Sequence, residues 1–238
     1  ASLFRSVGPA DFDAKVRDMF TRIAEEWNCP LEVINDGEVT ALAGSMALRK
    51  KGESGNGVLG IAMGTSEGGG YVDMDGNITT WLSELAFAPV DLHPEAPADE
   101  WSGDLGVGAQ YFSQQAVARL LPASGIEYDA SLSMPEQLKI VQKLMEEGDE
   151  RALRIYDAIG IYLGYTLAHY AEFYEFEYVL LLGRVTTGPG GEHIIARSKE
   201  VMAAEFPELA ARIKFHFPDE TEKRHGQAIA AASLPKIG

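Results

Sequence analysis

The chain has 238 residues, 46% hydrophobic and 24% charged, with 20 Lys and Arg against 36 Asp and Glu for a formal charge of −16. That apolar share excludes a disordered chain and supports a sizeable core, in one large domain or two small ones. The acidic balance disfavours nucleic-acid backbones and anionic membrane surfaces as partners, while leaving room for a local basic pocket that takes a small anion.

Cys29, the single cysteine, excludes a disulfide framework and any multi-thiolate metal site, and favours a reducing, cytoplasmic setting. No apolar run approaches the roughly 18–20 residues of a membrane span. The opening Ala1-Ser2-Leu3-Phe4-Arg5 lacks the basic-then-apolar order of a secretion signal.

In chain order, Val16, Met19, Phe20, Ile23, Ala24 and Trp27 recur at helical spacing, so residues 11–27 are predicted as one amphipathic helix capped by Asp11. Cys29-Pro30 ends it, and Leu31–Ile34 is a short strand. Asn35-Asp36-Gly37 is the turn that leads into a second helix, about 38–50, rich in small residues. A polar loop, 52–57, precedes strand 58–63. The glycine-rich turn 64–70 and the returning strand 71–74 complete a hairpin.

Residues 88–104, with three prolines and several acids, are an irregular loop. Helices are predicted at 110–121, at 135–147 with Pro135 in the first turn, and at 150–174. The last of these carries Leu153, Tyr156, Ile159, Leu163, Leu167, Tyr170 and Tyr174 on one side. Strand 178–183, helix 191–204, strand 213–217 and helix 221–232 complete an α/β pattern with parallel pairing.

Three turns have the composition of a site. Asp36 follows a strand and opens a helix, where a carboxylate can accept a proton from a substrate hydroxyl while the helix N-terminus favours its anionic form; Asp is also a preferred cap residue in its own right. Gly64-Thr65-Ser66-Glu67-Gly68-Gly69-Gly70 offers close backbone approach and two hydroxyl donors to an anion, or is a flexible hairpin tip. It matches neither a Walker loop nor a dinucleotide fingerprint. Gly183-Arg184, beyond a buried strand, lies where ligands of α/β sheets bind, or is a plain strand-to-helix turn. The five histidines show no ligand spacing. The aromatic stripe Tyr162, Tyr165, Tyr170, Phe173, Tyr174 and Phe176 is read as core or as a homodimer surface.

The order Glu32-Val33-Ile34-Asn35-Asp36, Gly60-Ile61-Ala62-Met63-Gly64-Thr65, Glu84 and Val179-Leu180-Leu181-Leu182-Gly183 resembles the ROK sugar kinases and bacterial glucokinases of the actin-like ATPase (hexokinase–Hsp70–actin) superfamily. The resemblance implies an α/β, ribonuclease H-like lobe with a mixed sheet and flanking helices. Residues 1–50 would be a remnant of the N-terminal lobe, most of which lies outside this chain, and 51–238 the C-terminal lobe. Asp36 would be the base that takes the proton from the sugar hydroxyl attacking ATP. Asn35 and Glu84 would contact the sugar. Gly64, Thr65 and Ser66 would hold phosphate, and Gly183 with Arg184 the adenosine side, with Mg²⁺ carried by ATP. The implied ligands are a sugar and a nucleotide, with no contact to nucleic acid by this lobe.

The chain departs from the family pattern at several places: the first phosphate turn, of the Asp-x-Gly-Gly-Thr type, has no counterpart, and Arg184 stands where a second glycine usually follows Gly183. Phe87 stands where the sugar motif has His, Ala109 where a sugar-binding Glu is usual, and the cysteine-rich zinc motif has no counterpart, so no zinc is expected. These departures keep a second reading open, a non-catalytic ROK-like sensor of sugar or nucleotide.

Overall fold

The computed structural model describes residues 4, 6–79, 81–218 and 220–234; the remainder of the N-terminal stretch read for a secretion signal lies outside them. A four-stranded mixed sheet organises the chain, in the order β2-β1-β3-β4. β1 (Val58–Met63) pairs antiparallel with β2 (Glu67–Val72) and parallel with β3 (Tyr178–Leu182), which pairs parallel with β4 (Lys214–His216). Buried β1 and β3 are almost continuously apolar, as strands covered on both faces are.

Side chains alternate between two cores. Leu59, Ile61, Met63, Tyr71, Val179 and Leu181 face a large cluster that holds α4 (Gln114–Ser124), α5 (Met134–Glu146), α6 (Glu150–Tyr170) and α7 (Pro189–Glu205). Val58, Val72, Tyr178 and Leu180 face a smaller one beneath α3 (Asp36–Lys50) and α9 (Glu220–Ala232). Between them the chain also forms α1 (Pro9–Lys15), α2 (Met19–Trp27) and the single turn α8 (Pro207–Ala210).

The small residues of α3 let it cross the sheet at close range. A Cβ at Gly37 would overlap the carbonyl oxygen of Gly69 in β2, and one at Gly70 would overlap the carbonyl of Gly37. Farther along, Ala41 lies over Gly60 of β1 and Gly44 over Leu180 of β3. The glycine run is therefore a packing surface.

The structure corrects several sequence expectations. Only Gly64–Ser66 is turn, and 67–70, predicted as turn, is strand, where Gly69 and Gly70 admit neighbouring segments that a Cβ would overlap. The single helix 11–27 is two helices broken at Val16–Asp18, and Gly8, not Asp11, is the N-cap of the first. Neither helix has a buried residue, so no core face holds a continuous rod together. Leu31–Ile34 makes no strand, since no ladder partner reaches it among the described residues. The helix predicted at 110–121 starts at Gln114, where Ser113 accepts a hydrogen bond from the Gln115 N–H. The long helix ends at Tyr170, and Leu153 points to solvent.

Gly70→Ala is expected to cost about 1–3 kcal/mol or more, because its Cβ meets backbone that cannot move aside. Gly44→Ala should cost less, because the Leu180 side chain can shift and Ala returns up to about 1 kcal/mol of helix propensity. Urea unfolding of the two variants beside the parent checks this ranking.

Candidate functional site

Asn35 is the residue that caps α3. Its side-chain oxygen accepts the Gly37 N–H at 2.8 Å with its own backbone extended, which makes Asp36 the first helical residue. The exposed Asp36 carboxylate is thus left free of the capping task, at the positive end of a 15-residue helix. Glu38 follows in the same turn but is buried, with Oε2 accepting the Tyr71 N–H at 3.1 Å. Burial pushes its carboxyl above the usual range, opposed by that N–H and by the Ser83 hydroxyl.

Gly64, Thr65 and Ser66 form the β1–β2 turn, with both hydroxyl residues exposed. The turn is buttressed from behind, because the Gln114 N–H, at the start of α4, donates to the Gly64 carbonyl at 2.9 Å. Gly183 sits directly beside it. Its φ of 100° is open to glycine, and a Cβ there would overlap the Met63 backbone. The ends of parallel β1 and β3 therefore place Gly183-Arg184 next to the Gly64–Ser66 turn. Arg184 is exposed, and its carbonyl accepts from Gln142 Nε2 at 2.8 Å.

Glu84 lies exposed on a strip, Ser83–Leu85, that rests on β2 through Gly69, where a Cβ would overlap the Ser83 carbonyl. Gly69 consequently touches both the Asp36 turn, through Gly37, and the Glu84 strip. On the α3 side, Gly183, Thr40, Gly44, Leu180, Pro218 and Gln227 line a recess of about 210 Å³. One helical turn away Asp36 borders a more open hollow of about 520 Å³ with Val39, Ile34 and Gln227. Thr40 donates its hydroxyl to the Asp36 carbonyl at 2.7 Å and accepts from Gln227 Nε2. Gln227 borders both hollows. It gave no sequence signal, because α9 reaches α3 only through the fold. Glu67 gives no separate signal within the glycine-rich segment, although it shares the period-two face of Gly69 and Tyr71.

Phe87 stacks on Trp101, with ring centroids 5.3 Å apart, and Ala109 is buried. Among the described residues, no three His, Cys, Asp or Glu side chains are grouped so that they could hold a metal ion. No helix of the described residues is long and apolar enough to cross a membrane.

No family model matches the sequence. Over 190 residues it is 27% identical to a glucokinase of Halalkalibacterium halodurans, a match that takes in 76% of this chain and 55% of that enzyme. The chain thus spans about half the length of this relative. Solved structures share its architecture. A ROK family glucokinase from Streptomyces griseus, in complex with glucose and AMPPNP, superposes with a TM-score of 0.66 at 18% identity, over 92% of this chain and 72% of that one. The chain has the ROK sugar-kinase fold.

The same ROK architecture recurs in a ROK family transcriptional regulator, a homologue of the E. coli MLC protein, with a TM-score of 0.69 at 17% identity, over 91% of this chain and 55% of that one. The fold expectation, an α/β lobe with a mixed sheet and flanking helices, is met.

Asn35→Ala should destabilise the chain by about 1 kcal/mol through the lost cap, with Asn35→Asp restoring most of it. Thermal unfolding of both variants provides the check.

Proposed function

We propose that this chain carries most of the ligand-binding machinery of an ATP-dependent sugar kinase acting on a hexose-like substrate. Residues 1–50 are read as the part of the N-terminal lobe that brings the catalytic turn, and 51–238 as the C-terminal lobe. The observation that carries the reading is that the Asn35–Gly37 and Ser83–Leu85 segments and Gly183 attach through close glycine contacts to the sheet whose β1–β2 turn is Gly64–Ser66.

In this reading the Asp36 carboxylate, at a helix N-terminus and free of capping, accepts the proton from the attacking sugar hydroxyl. Asn35 and Glu84 hold neighbouring hydroxyls. Thr65 and Ser66 hydroxyls, on the turn that Gly64 opens, receive phosphate oxygens, while Gly183 and Arg184 border the nucleoside side above the Thr40–Gln227 recess. The exposed donors and glycine cradle fit an ion that arrives on phosphate oxygens better than one held by a protein cage. Bound with ATP, Mg²⁺ would supply neutralisation of the charge on the transferring group. What this chain's residues contribute is positioning and one proton acceptor.

A second reading, a sensor or regulator that binds sugar or nucleotide without catalysis, is favoured by Phe87 and by the burial of Ala109, which leaves no acid at that place for a sugar. A cytoplasmic homodimer is proposed with either. Its surface would be the exposed side of α6 and the turn that follows it, where Tyr165 is 48% and Phe173 67% exposed, beside an open groove bordered by Tyr165, His169, Phe206 and Arg212.

Asp36→Asn, placed in a protein of its relatives' full length, should lower kcat by about 10²–10⁴-fold with little change in Tm; unaltered turnover would overturn the assignment. For this chain, MgATP at a hundred times its Kd should raise stability by about 2.7 kcal/mol. A rise with glucose alone, and none with MgATP, would support the sensor.

A further inference from the structure

Glu67 has no role in the reading above, yet it is the most costly residue the strand could carry. It opens β2 directly after Ser66 and shares the face of Gly69 and Tyr71, so its carboxyl enters the large core rather than the ligand side. The residue is 4% exposed, and neither carboxyl oxygen has a protein partner when counted as an acceptor. An ionised carboxylate in that position would lose its hydration with nothing in return.

The surroundings identify a different bond. The space taken by Oε2 exists because residue 108 is glycine: a Cβ there would overlap both Glu67 Oε2 and the carbonyl oxygen of Leu85. The two oxygens are therefore neighbours across Gly108. A carboxylate and a carbonyl oxygen side by side can only repel, whereas a carboxylic acid there can donate an O–H···O bond to the carbonyl. The Leu85 carbonyl takes one N–H, from Ala88 at 3.0 Å, and has a second lone pair to offer.

We propose that Glu67 is a positioning residue that donates a hydrogen bond from its carboxyl group to the backbone carbonyl of Leu85, fixing the Ser83–Leu85 strip, and with it Glu84, to the strand that starts at the Thr65–Ser66 turn. The bond deepens the sugar-kinase reading only in what Glu84 is for; the bond itself stands on the fold. Burial holds the Glu67 proton well above the ordinary carboxyl range. Tyr170, from α6, faces it with a buried hydroxyl that has no partner and whose own proton is held more firmly, chiefly by burial. The other acids near β2 are Glu38, spent on Tyr71 N–H, and exposed Glu84; Tyr71 donates its hydroxyl to the Glu175 carbonyl at 2.8 Å.

The test compares the parent chain with Glu67→Gln, whose amide can still donate to Leu85, and Glu67→Leu, which cannot. Hydrogen exchange of the 84–88 amides should stay within about twofold of the parent in the Gln variant and quicken roughly tenfold or more in the Leu variant. Equal exchange in all three, or equally fast exchange in both variants, overturns the proposal.

Unfolding against pH gives a second readout that does not need the Leu variant to fold. A group protonated in the folded chain but ionised when unfolded gives stability that is full below the unfolded value near 4.5 and falls as pH rises toward the folded one. The parent's Tm should therefore drop relative to Glu67→Gln by about 3 °C or more between pH 4.5 and 8. Parallel curves would mean that Glu67 is not a donor. Neither readout involves sugar or nucleotide, so this proposal and the kinase reading fail separately.

Discussion

The contact between the backbones of Gly37 and Gly69–Gly70 sets the geometry of everything around it. A helix and a strand can approach so closely only where both lack Cβ atoms, and here the reciprocal overlaps at Gly37 and Gly70 leave no alternative residue. That approach fixes the N-terminus of α3 over the edge strand. It thereby determines where Asp36 stands relative to the Thr65 turn at one end of β2 and the Glu84 strip lying across Gly69. Lengthening the contact by one methyl group would separate the turns that the proposed chemistry needs together.

Such close packing has an electrostatic counterpart. Two glutamates enter the interior beside this glycine strand, and they are handled differently. Glu38 satisfies the Tyr71 N–H at the sheet edge, where no further strand pairs among the described residues. Glu67 lies on the opposite face, where a proton rather than a partner charge removes the cost of burial. Both spend stability on holding loops, as residues beside a ligand site often do.

Much of this architecture was legible in the sequence. The apolar runs at 58–63 and 178–183 were legible as strands, the second as a buried one, and Pro135 and the periodicity after 150 pointed to α5 and α6. What misled was context. Phe20 and Trp27 have helical spacing, yet they are 47% and 69% exposed, so periodicity predicted a face that finds no core here. Four glycines in 64–70 read as a loop because propensity alone disfavours glycine in strands, whereas tertiary packing demanded it. The site turns were visible as short motifs, and Asn35 taking the cap from Asp36 needed coordinates. Gln227 and Glu67 were hidden for opposite reasons: one acts across a long sequence separation, the other beneath a surface that its neighbours define.

The central claim is that turns remote in sequence serve one ligand site. Amide chemical-shift mapping by NMR tests it most directly. On addition of MgATP, the account predicts that Thr65, Ser66 and Gly183 shift together, with Asn35, Asp36 and Glu84 responding when glucose follows. Shifts confined to another surface, such as the Tyr165–Arg212 groove, with those six amides unmoved, would contradict it.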